Sequence, residues 1–377
     1  MSDTSTSTVQ ALPYVDGHVP GEPGPGEEVD ALGTPIAQGD LRPLRVTRRR
    51  VGYTDVQVDI LYTGICHSDI HFVNNDWGNT IFPCVPGHEI VGRVSVVGDG
   101  VTRFKAGDMV AVGPIVNNCG RCANCSEGLE QYCTGPHGRT EIYNGPTKPD
   151  GTNTYGGYST RVVVGERYVY SLPEGLKPET VPPLMCAGIT TYSPLKFYGV
   201  GPGKKVGVAG LGGLGHIAVK LAAAMGAEVT VLSRSPEKEA DAKRFGAEQF
   251  VLHTNPEAMA ELEQSLDFVL VTIPEPFDVN PFVSLLKRDG TVCVVGAIEP
   301  LATPTNTKEL TGQRRAVSGS ILGGVDESAE MLEFCAANGI ESEVEVIPFS
   351  DVNDAYPKVR AGKVRYRYVI DVAGSAV

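Results

Sequence analysis

The chain has 377 residues, of which 41% are hydrophobic and 20% are charged, so its composition is that of an ordinary globular protein. At about 150 residues per domain, this length predicts two or three domains with a sizeable core. The 32 basic and 45 acidic residues leave a net charge of −13, and such a field repels nucleic-acid phosphates and anionic lipid headgroups. These numbers argue against a nucleic-acid-binding or membrane-surface protein.

The sequence also indicates a compartment. No stretch approaches the roughly 20 uninterrupted apolar residues that a membrane span needs. Residues 1–10 are rich in Ser and Thr and contain no basic side chain, which fits neither a secretory signal nor a transit peptide. We therefore expect a cytoplasmic protein. Because that compartment is reducing, the nine cysteines are expected to bind metal or stay free rather than form disulfides.

The first half of the chain has the pattern of an arm followed by a β-rich domain. Residues 1–30 carry clusters of Gly, Pro, Ser and Thr without an apolar period, so we expect a flexible N-terminal arm. Residues 31–180 contain short alternating runs cut by Gly, Pro and Asn, which predicts a mainly β domain. Strands are predicted at residues 56–62, 90–97, 109–112 and 158–164.

The second half alternates strands and helices. An apolar run at residues 205–209 precedes a glycine-rich loop, helical spacing follows at 216–225, and another strand follows at 228–232. Such alternation is typical of βαβ units. Residues 181–325 are therefore predicted to form a doubly wound nucleotide domain around a parallel sheet.

Three glycines in the pattern Gly-x-Gly-x-x-Gly lie between that first strand and helix. In a dinucleotide site the first glycine allows a tight turn, the second lets backbone approach the pyrophosphate, and the third lets the helix lie close to the strand. The phosphates then meet the positive end of the helix. The flanking elements distinguish this loop from a chance glycine loop, so we predict a dinucleotide site. Its residues are Gly210, Leu211, Gly212, Gly213, Leu214 and Gly215.

The turn after the second strand predicts which dinucleotide binds. NAD-selective sites carry a carboxylate about 20 residues further on, where it holds the ribose 2′-hydroxyl. Here the turn offers hydroxyls and cations instead, which suit a 2′-phosphate. They belong to Ser233, Arg234, Ser235 and Lys238. We expect NADP(H), and the alternative is an ordinary solvated basic loop.

Four cysteines follow one another closely in the β-rich domain. Cys119, Cys122 and Cys125 are spaced by two residues each, and Cys133 follows after seven more. Four thiolates can close a tetrahedral shell around zinc, and such a site is structural because it leaves no position for substrate. We predict that residues 117–134 form a lobe stabilised by zinc. A nucleic-acid-binding zinc module would look similar, but the acidic balance argues against it.

A second set of possible ligands is dispersed along the chain. Taken singly, Cys66, His88 and Cys186 would pass for buried core residues. Together, two thiolates and an imidazole make the ligand set of a catalytic zinc with an open fourth position. The remaining cysteines lie in apolar segments and receive no role: Cys84, Cys293 and Cys335.

In these motifs the sequence resembles the zinc-containing medium-chain alcohol dehydrogenases. The Gly-His-Glu box at His88, the four-cysteine run and the glycine motif occur in that family's order, and the resemblance covers about residues 35–375. Longer phrases are similar to the cinnamyl alcohol dehydrogenase branch, especially to its bacterial broad-range NADP-dependent aldehyde reductases. They occupy residues 75–78, 85–92, 186–195, 285–290 and 366–371.

The resemblance implies an α/β fold with two domains. A GroES-like β-rich catalytic domain would be followed by a Rossmann nucleotide domain, and residues 326–377 would return to the catalytic domain. The active site would lie in the cleft between them. Relatives form homodimers or homotetramers, often through edge strands of the nucleotide domain, which points to residues 316–325 here.

The resemblance also assigns roles around the dispersed ligands. Cys66, His88 and Cys186 match the catalytic zinc ligands. Glu89 matches a nearby carboxylate able to replace the zinc-bound water, and Asp69 matches a partner that orients the histidine ligand.

Further positions match the proton relay, the cofactor contacts and the substrate pocket. Ser68 and His71 match the relay, in which His71 would exchange protons with bulk water. Trp77, the only tryptophan, either lines the substrate pocket or has a packing role. Plant lignin enzymes carry a bulky tryptophan in the loop that corresponds to residues 134–143, and its absence here argues against a dedicated monolignol enzyme. Positions matching dinucleotide contacts are Thr190, Thr272, Gly296, Ser320, Ile321 and Leu322.

The implied activity is zinc-dependent hydride transfer between NADPH and aldehydes, with a primary alcohol as the other product. Aromatic aldehydes such as cinnamaldehyde or benzaldehyde and aliphatic ones are expected substrates. The expected cofactors are two Zn²⁺ per chain and NADP(H). The alternatives are a narrow biosynthetic reductase of a carbonyl or iminium in the same family, and a non-catalytic dinucleotide-binding protein without the second zinc.

Overall fold

The computed structural model describes residues 26–136, 138–143, 154–296 and 299–377. The strands are β1 Glu27–Gly33, β2 Arg42–Arg48, β3 Asp55–Gly64, β4 Ile90–Val97, β5 Met109–Val112, β6 Ile115–Asn117, β7 Thr140–Glu141, β8 Arg161–Gly165, β9 Val169–Ser171, β10 Lys205–Ala209, β11 Glu228–Ser233, β12 Gln249–Leu252, β13 Leu266–Val271, β14 Leu286–Val294, β15 Ala316–Gly319, β16 Val344–Ile347 and β17 Arg367–Asp371. The α-helices are α1 His67–Asn74, α2 Ala123–Ser126, α3 Ala187–Phe197, α4 Gly215–Ala224, α5 Glu239–Arg244, α6 Pro256–Ala260, α7 Asn280–Ser284, α8 Thr307–Gln313, α9 Val325–Ala337 and α10 Val352–Arg360.

A mainly antiparallel seven-stranded sheet forms the frame of the β-rich half. Its strand order is β16-β17-β3-β4-β5-β9, with β8 paired to β3. Side chains of β3 alternate between buried and partly exposed positions, which is the pattern of a sheet with one covered face. β17, close to the C-terminus, pairs antiparallel with β3. The sheet therefore combines β3 and its neighbours with a strand that lies about 300 residues later in the chain.

A six-stranded parallel sheet forms the other half, in the order β12-β11-β10-β13-β14-β15. Numbered within the sheet, this is the 3-2-1-4-5-6 order of a Rossmann fold. Its central strands are almost wholly buried, as strands covered by helices on both faces must be. α4 lies against β10 and β11 on one face, and α7 and α8 lie against β14 on the other.

Near the N-terminus the structure departs from the expected arm. β1 pairs antiparallel with β2 from Glu27 opposite Arg48 to Gly33 opposite Arg42, so the prediction of an unstructured arm is wrong for residues 27–30. Val29 is buried by this pairing. The hydrogen bonds to β2 hold these residues in a strand, although the glycines and prolines nearby favour irregular structure. The rest of the predicted arm, residues 1–25, lies outside the described residues.

Two smaller features complete the fold. β6 and β7 form a two-stranded sheet that flanks the four-cysteine segment. In the part of the chain that the structure describes, none of the helices combines the length and apolar character needed to cross a bilayer.

Candidate active site

The four cysteines of the lobe meet at one point. Cys119 lies just after β6, and Cys122 caps the N-terminus of α2. All four sulfur atoms lie within 4.8 Å of one another, with 3.4 Å between those of Cys122 and Cys125 and 3.9 Å between those of Cys119 and Cys125. Zn–S bonds of about 2.3 Å in a tetrahedron place sulfur atoms about 3.8 Å apart, whereas a disulfide bond is about 2.05 Å long. Together with Cys133, the cluster fits a metal and not a disulfide.

Backbone amides favour thiolates in this lobe. The N–H of Cys119 donates to Cys133 Sγ, and that of Cys122 donates to Cys119 Sγ, each at 3.4 Å. Backbone hydrogen bonds, that of Cys125 first, lower the pKa of Cys122 to about 5. Burial acts in the opposite direction on the pKa of Cys125 and raises it. Sulfurs this close, held partly as thiolates, are stabilised by a bound cation.

The dispersed ligands converge in a second cluster, which is fully buried. Cys66 lies at the N-cap of α1, Cys186 lies at the N-cap of α3, and His88 and Glu89 directly precede β4. Their ligand atoms lie within 4.8 Å of one another. His88 Nε2 and Glu89 Oε2 have no hydrogen-bond partner among the described residues. Buried polar atoms normally have hydrogen-bond partners. The two atoms without one, together with the two thiols, have the chemistry of zinc ligands.

Asp69 holds this cluster in place. Its carboxylate accepts hydrogen bonds from the Cys66 N–H at 2.8 Å and from the Gly87 N–H at 2.9 Å. Its Oδ1 also lies 3.0 Å from His88 Nδ1. Burial is the largest single effect and lowers the pKa of His88, but the charges of Asp69 and Cys66 and the hydrogen bonds to them together outweigh burial, so the net shift is upward. When Nδ1 donates to this carboxylate, Nε2 keeps its lone pair for a metal.

Arg367, in β17, connects the cluster to the glycine loop. Its Nη2 donates to Glu89 Oε1 and to the Ile65 carbonyl, the latter at 2.9 Å. A Cβ added to Gly213 would lie 2.7 Å from Arg367 Cδ. Burial raises the pKa of Glu89 to about 7, although Arg367 lowers it. Residues 366–371 carry part of the family resemblance, but no role for Arg367 follows from the sequence, because its partners Glu89 and Ile65 come from distant segments.

The two residues assigned to the proton relay lie on α1. Ser68 Oγ is 3.8 Å from Cys66 Sγ, beside the buried cluster. His71 Nδ1 is 2.8 Å from Asp76 Oδ2, and both of these side chains are partly exposed. In the described part of the chain no hydrogen bond joins Ser68 to His71 directly. α1 thus carries one relay residue at the cluster and the other at the solvent edge.

A row of rings connects Trp77 with the metal cluster. Trp77 stacks on His71 with ring centroids 5.1 Å apart and meets Phe72 edge-on at 4.9 Å. Phe72 meets Tyr143 edge-on at 4.3 Å, and Tyr143 stacks on His88 at 4.8 Å. Trp77 therefore has a packing role, and it is only half-buried, so part of its ring stays open to a ligand. Tyr143 provides the aromatic ring of a loop that lacks tryptophan.

The glycine loop has the geometry of a phosphate cradle. Gly210 has a φ of +94°, which favours glycine. A Cβ on Gly215 would lie 2.0 Å from the Gly210 carbonyl oxygen, so only glycine allows α4 to start this close to β10. A Cβ on Gly212, by contrast, would meet nothing within 4 Å. The loop leaves open space at the N-terminus of α4, which fits an anionic pyrophosphate.

Side chains of the basic turn, residues 233–238, contact groups outside the turn that local sequence does not predict. Arg234 Nη1 lies 3.1 Å from Glu275 Oε2, and both side chains are exposed. Lys238 Nζ donates to the Leu211 carbonyl of the glycine loop at 2.9 Å. Ser233 is buried, and its Oγ accepts a hydrogen bond from the Ser235 N–H. The acidic Glu275, beyond β13, is missing from the sequence-based site.

The other residues matched to cofactor contacts lie mostly along one edge of the parallel sheet. Thr272 directly follows β13, Gly296 follows β14, and Ser320, Ile321 and Leu322 follow β15. Ligands of Rossmann folds bind at this carboxyl edge. Thr272 Oγ1 donates to the carbonyls of Ala209 and Gly210, at 3.0 and 3.1 Å. Thr190 lies in α3, one turn beyond Cys186, and is buried.

Two family models match the chain. One is described as the alcohol dehydrogenase GroES-like domain and matches residues 52–174. The other is described as zinc-binding dehydrogenase and matches residues 213–337. The buried cluster draws on the first segment for Cys66, His88 and Glu89, and the lobe lies wholly within it.

Three similar proteins extend the comparison. Aldehyde reductase YahK of Escherichia coli is 47% identical over 348 residues, which are 91% of this chain and 98% of that protein. A cinnamyl alcohol dehydrogenase structure from Sorghum bicolor superposes with a TM-score of 0.89 at 40% identity, covering 93% of this chain and 99% of that one. The structure of CAD from Helicobacter pylori complexed with NADP(H) superposes with a TM-score of 0.86 at 41% identity, with the same coverage of 93% and 99%.

Proposed function

The chain belongs to the zinc-containing medium-chain alcohol dehydrogenases, and we propose that it interconverts aldehydes and primary alcohols with NADP(H). The predicted family and the predicted α/β fold class, a GroES-like domain with a Rossmann-type nucleotide domain, are confirmed. The observation that carries the proposal is the buried convergence of Cys66, His88 and Cys186, in which His88 Nε2 has no hydrogen-bond partner among the described residues.

In this proposal, Cys66, His88 and Cys186 would hold Zn²⁺, which would supply Lewis-acid polarisation of the carbonyl oxygen, and bound NADPH would supply the hydride. The chain's own residues prepare the site. Asp69 fixes the histidine tautomer through its 3.0 Å contact with Nδ1. Glu89, anchored by Arg367, lies within ligand distance of the other three and can act as an alternative fourth ligand.

Protons would move along α1. Ser68 lies beside Cys66 and can donate its hydroxyl proton to the alcohol oxygen as it forms. His71 stands at the solvent edge, where its Nδ1 is paired with Asp76 and its Nε2 is left for exchange. No direct hydrogen bond joins Ser68 and His71 among the described residues, so a bound cofactor would have to supply the hydroxyl groups that link them.

The cofactor proposal is NADP(H) over NAD(H). Arg234 and Ser233 lie at the end of β11, where Rossmann folds meet the ribose 2′ position. Lys238 adds positive charge next to the glycine loop. The similarity to a structure that holds NADP(H) supports the same choice.

For substrate we propose a broad range of aromatic and aliphatic aldehydes. The rings of Trp77, Phe72 and Tyr143 form a row of ring contacts that ends at His88, and the half-buried Trp77 leaves part of its apolar ring open to an aromatic or aliphatic substrate. The similarity to an aldehyde reductase supports this proposal.

The remaining features of the proposal concern metal count, assembly and compartment. Each of the two clusters would hold one zinc ion. A homodimer or homotetramer is supported by β15, which lies at the edge of the parallel sheet with its outer side unpaired by the described strands. A cytoplasmic location is supported by the nine cysteines, all in the described part of the chain, none of which forms a disulfide.

The proposal is tested by counting metal and measuring turnover on the same preparation. Elemental analysis should find two zinc ions per chain, and NADPH oxidation should proceed with benzaldehyde, cinnamaldehyde and medium-length aliphatic aldehydes. The same assay with NADH should be markedly slower at equal concentration. Turnover confined to a single carbonyl or iminium compound would indicate the narrow biosynthetic reductase, and NADPH binding without turnover or a second zinc would indicate the non-catalytic protein.

A further inference from the structure

A buried carboxylate joins the four-cysteine lobe to the segment that follows the parallel sheet. Glu130 lies between Cys125 and Cys133 and is only 1% exposed. The N–H of Cys133 donates to the Glu130 carbonyl at 3.1 Å, so the position of Glu130 depends on the position of the cysteine ligand. The proposed chemistry uses neither oxygen of this carboxylate.

Both oxygens of Glu130 are engaged by other segments. Oε1 accepts a hydrogen bond from Arg167 Nη2 at 2.6 Å, and Oε2 accepts one from the Val325 N–H at 3.0 Å. Val325 is the first residue of α9, and the N-cap of that helix is Gly324, which has no side chain to offer. The free N–H groups and the dipole at a helix N-terminus favour an anion. Glu130 therefore caps α9 from a segment 195 residues away.

The chain just before α9 has little room to shift. A Cβ on Gly324 would lie 1.9 Å from the Gly128 carbonyl oxygen in the lobe, and a Cβ on Gly323 would lie 2.5 Å from Ile189 Cδ1 in α3. Leu322 has a φ of +53°, a conformation that residues other than glycine rarely adopt. The lobe lies on one side of this segment and α3 on the other. A displacement of Glu130 would therefore pass to Leu322 and its neighbours.

We propose that Glu130 is a positioning residue through which the four-cysteine lobe sets the affinity for NADP(H). Residues 320–322 directly follow β15, at the sheet edge where Rossmann folds bind their ligands. The inference rests on the proposed function, in which these residues contact the cofactor. The lobe metal then acts on the cofactor without touching it, because an ordered lobe keeps Glu130 on the N-terminus of α9.

The test compares two buried carboxylates with the same kinds of partner. Glu130→Ala removes a carboxylate that pairs with an arginine and a backbone N–H. Asp55→Ala does the same in β3, where the fully buried Asp55 pairs with Arg49 and accepts from the Gly52 N–H at 2.8 Å. The dissociation constant of NADPH is measured by its fluorescence in the absence of aldehyde, and kcat is measured at saturating NADPH.

Both variants are expected to unfold at lower temperature, but only Glu130→Ala is expected to weaken NADPH binding. The expected rise in Kd is roughly tenfold, a modest coupling between two sites, with kcat within about twofold of wild type. Glu130→Gln keeps one oxygen for the Val325 N–H, so it should give an intermediate Kd, and it serves as the test where the alanine variant does not fold.

Two outcomes overturn the inference. The first is a Glu130 variant, alanine or glutamine, that binds NADPH as tightly as the wild type. The second is an equal loss of affinity in Asp55→Ala, which would show a general effect of destabilisation. A wild-type chain that binds no NADPH would overturn the proposed function and this inference with it, and that result is distinct from either.

Discussion

The two clusters of potential metal ligands in this protein are assembled in opposite ways. The lobe collects its four cysteines, three of them partly exposed, from one short loop whose own backbone amides donate hydrogen bonds to the sulfurs. The buried cluster collects its ligands from three distant segments and depends on Asp69 and Arg367 to hold them. A local cluster needs the metal to give it stability, whereas an assembled cluster needs the surrounding fold to give it geometry.

The largest expected effect comes from breaking the assembled cluster. Cys66→Ser should remove one zinc ion per chain and lower turnover by at least about a thousandfold, because the carbonyl loses its Lewis acid. The fold and the lobe metal should persist, since the surrounding core and the lobe do not depend on this metal. Elemental analysis and NADPH-dependent aldehyde reduction measure both effects.

The matched control is Cys293→Ser, which makes the same change in a fully buried thiol away from both clusters. It should keep both zinc ions and most of the activity. Normal turnover in Cys66→Ser with one zinc missing would show that the buried cluster is not the catalytic centre.

Breaking the local cluster should have a different result. Cys125→Ser should lose the lobe metal and lower the unfolding midpoint by several degrees, because few apolar contacts hold this loop without it. Turnover at saturating substrate and cofactor should fall far less than in Cys66→Ser. Calorimetry, metal analysis and kinetics on one preparation separate these effects, and a loss of turnover equal to that of Cys66→Ser would erase the distinction between the clusters.

The basic turn extends the comparison, because its Arg234 forms an ion pair with Glu275, which lies far away in the sequence. Arg234→Ala should raise the KM for NADPH about tenfold, the value of one charged hydrogen bond at an exposed site, and leave the KM for NADH nearly unchanged. Glu275→Gln should lower the KM for NADPH a few-fold, because Glu275 no longer competes with the 2′-phosphate for Arg234. An unchanged ratio of the two KM values in Arg234→Ala would remove the turn from cofactor selection.

The smallest expected effect concerns His216, in the helix that follows the glycine loop. Its Nδ1 lies 3.1 Å from the Gly212 carbonyl, its Nε2 accepts from the Glu343 N–H at 3.2 Å, and burial lowers its pKa to about 3. An unfolded histidine takes up a proton below about pH 6.5 and the folded one does not, so its contribution to stability is lost as the pH falls from 6.5 toward 3.

Between pH 7 and pH 6 this contribution should fall by about 0.7 kcal/mol. Denaturant unfolding at the two pH values measures it. His216→Gln, which keeps a hydrogen-bonding side chain without the titration, should reduce the pH dependence by that amount. Identical pH dependence in wild type and variant would show that His216 titrates normally in the folded chain.

Local patterns in the sequence were enough to predict much of this site. The spacing of Cys119, Cys122, Cys125 and Cys133 needs only a short loop to become a cluster, and the structure brings their sulfurs together. The glycine motif likewise lies between the strand and the helix that its sequence predicts. Both features are local, because all the residues of each one lie in a single short segment of the chain.

The residues that the sequence did not predict are those whose role depends on partners far away in the chain. The resemblance of residues 366–371 gives Arg367 no role, and nothing near Glu275 marks it, because their contacts to Glu89 and Arg234 exist only in the folded chain. The same holds for residues 27–30, which join β2 although their composition favours an arm. Glu130 follows this rule too, since its partner Val325 lies in another half of the sequence.

By itself, the sequence determined the family, the two-part α/β architecture and the chemical identity of both ligand sets, because these depend on residue type and local spacing. The tertiary structure decided which of these groups meet. It places Cys66, His88 and Cys186 in one buried cluster, leaves His88 Nε2 without a hydrogen-bond partner among the described residues, and ties the lobe to α9 through Glu130. The physical reason is that burial and hydrogen bonds act between residues that are close in space. Their separation along the chain does not reveal that closeness.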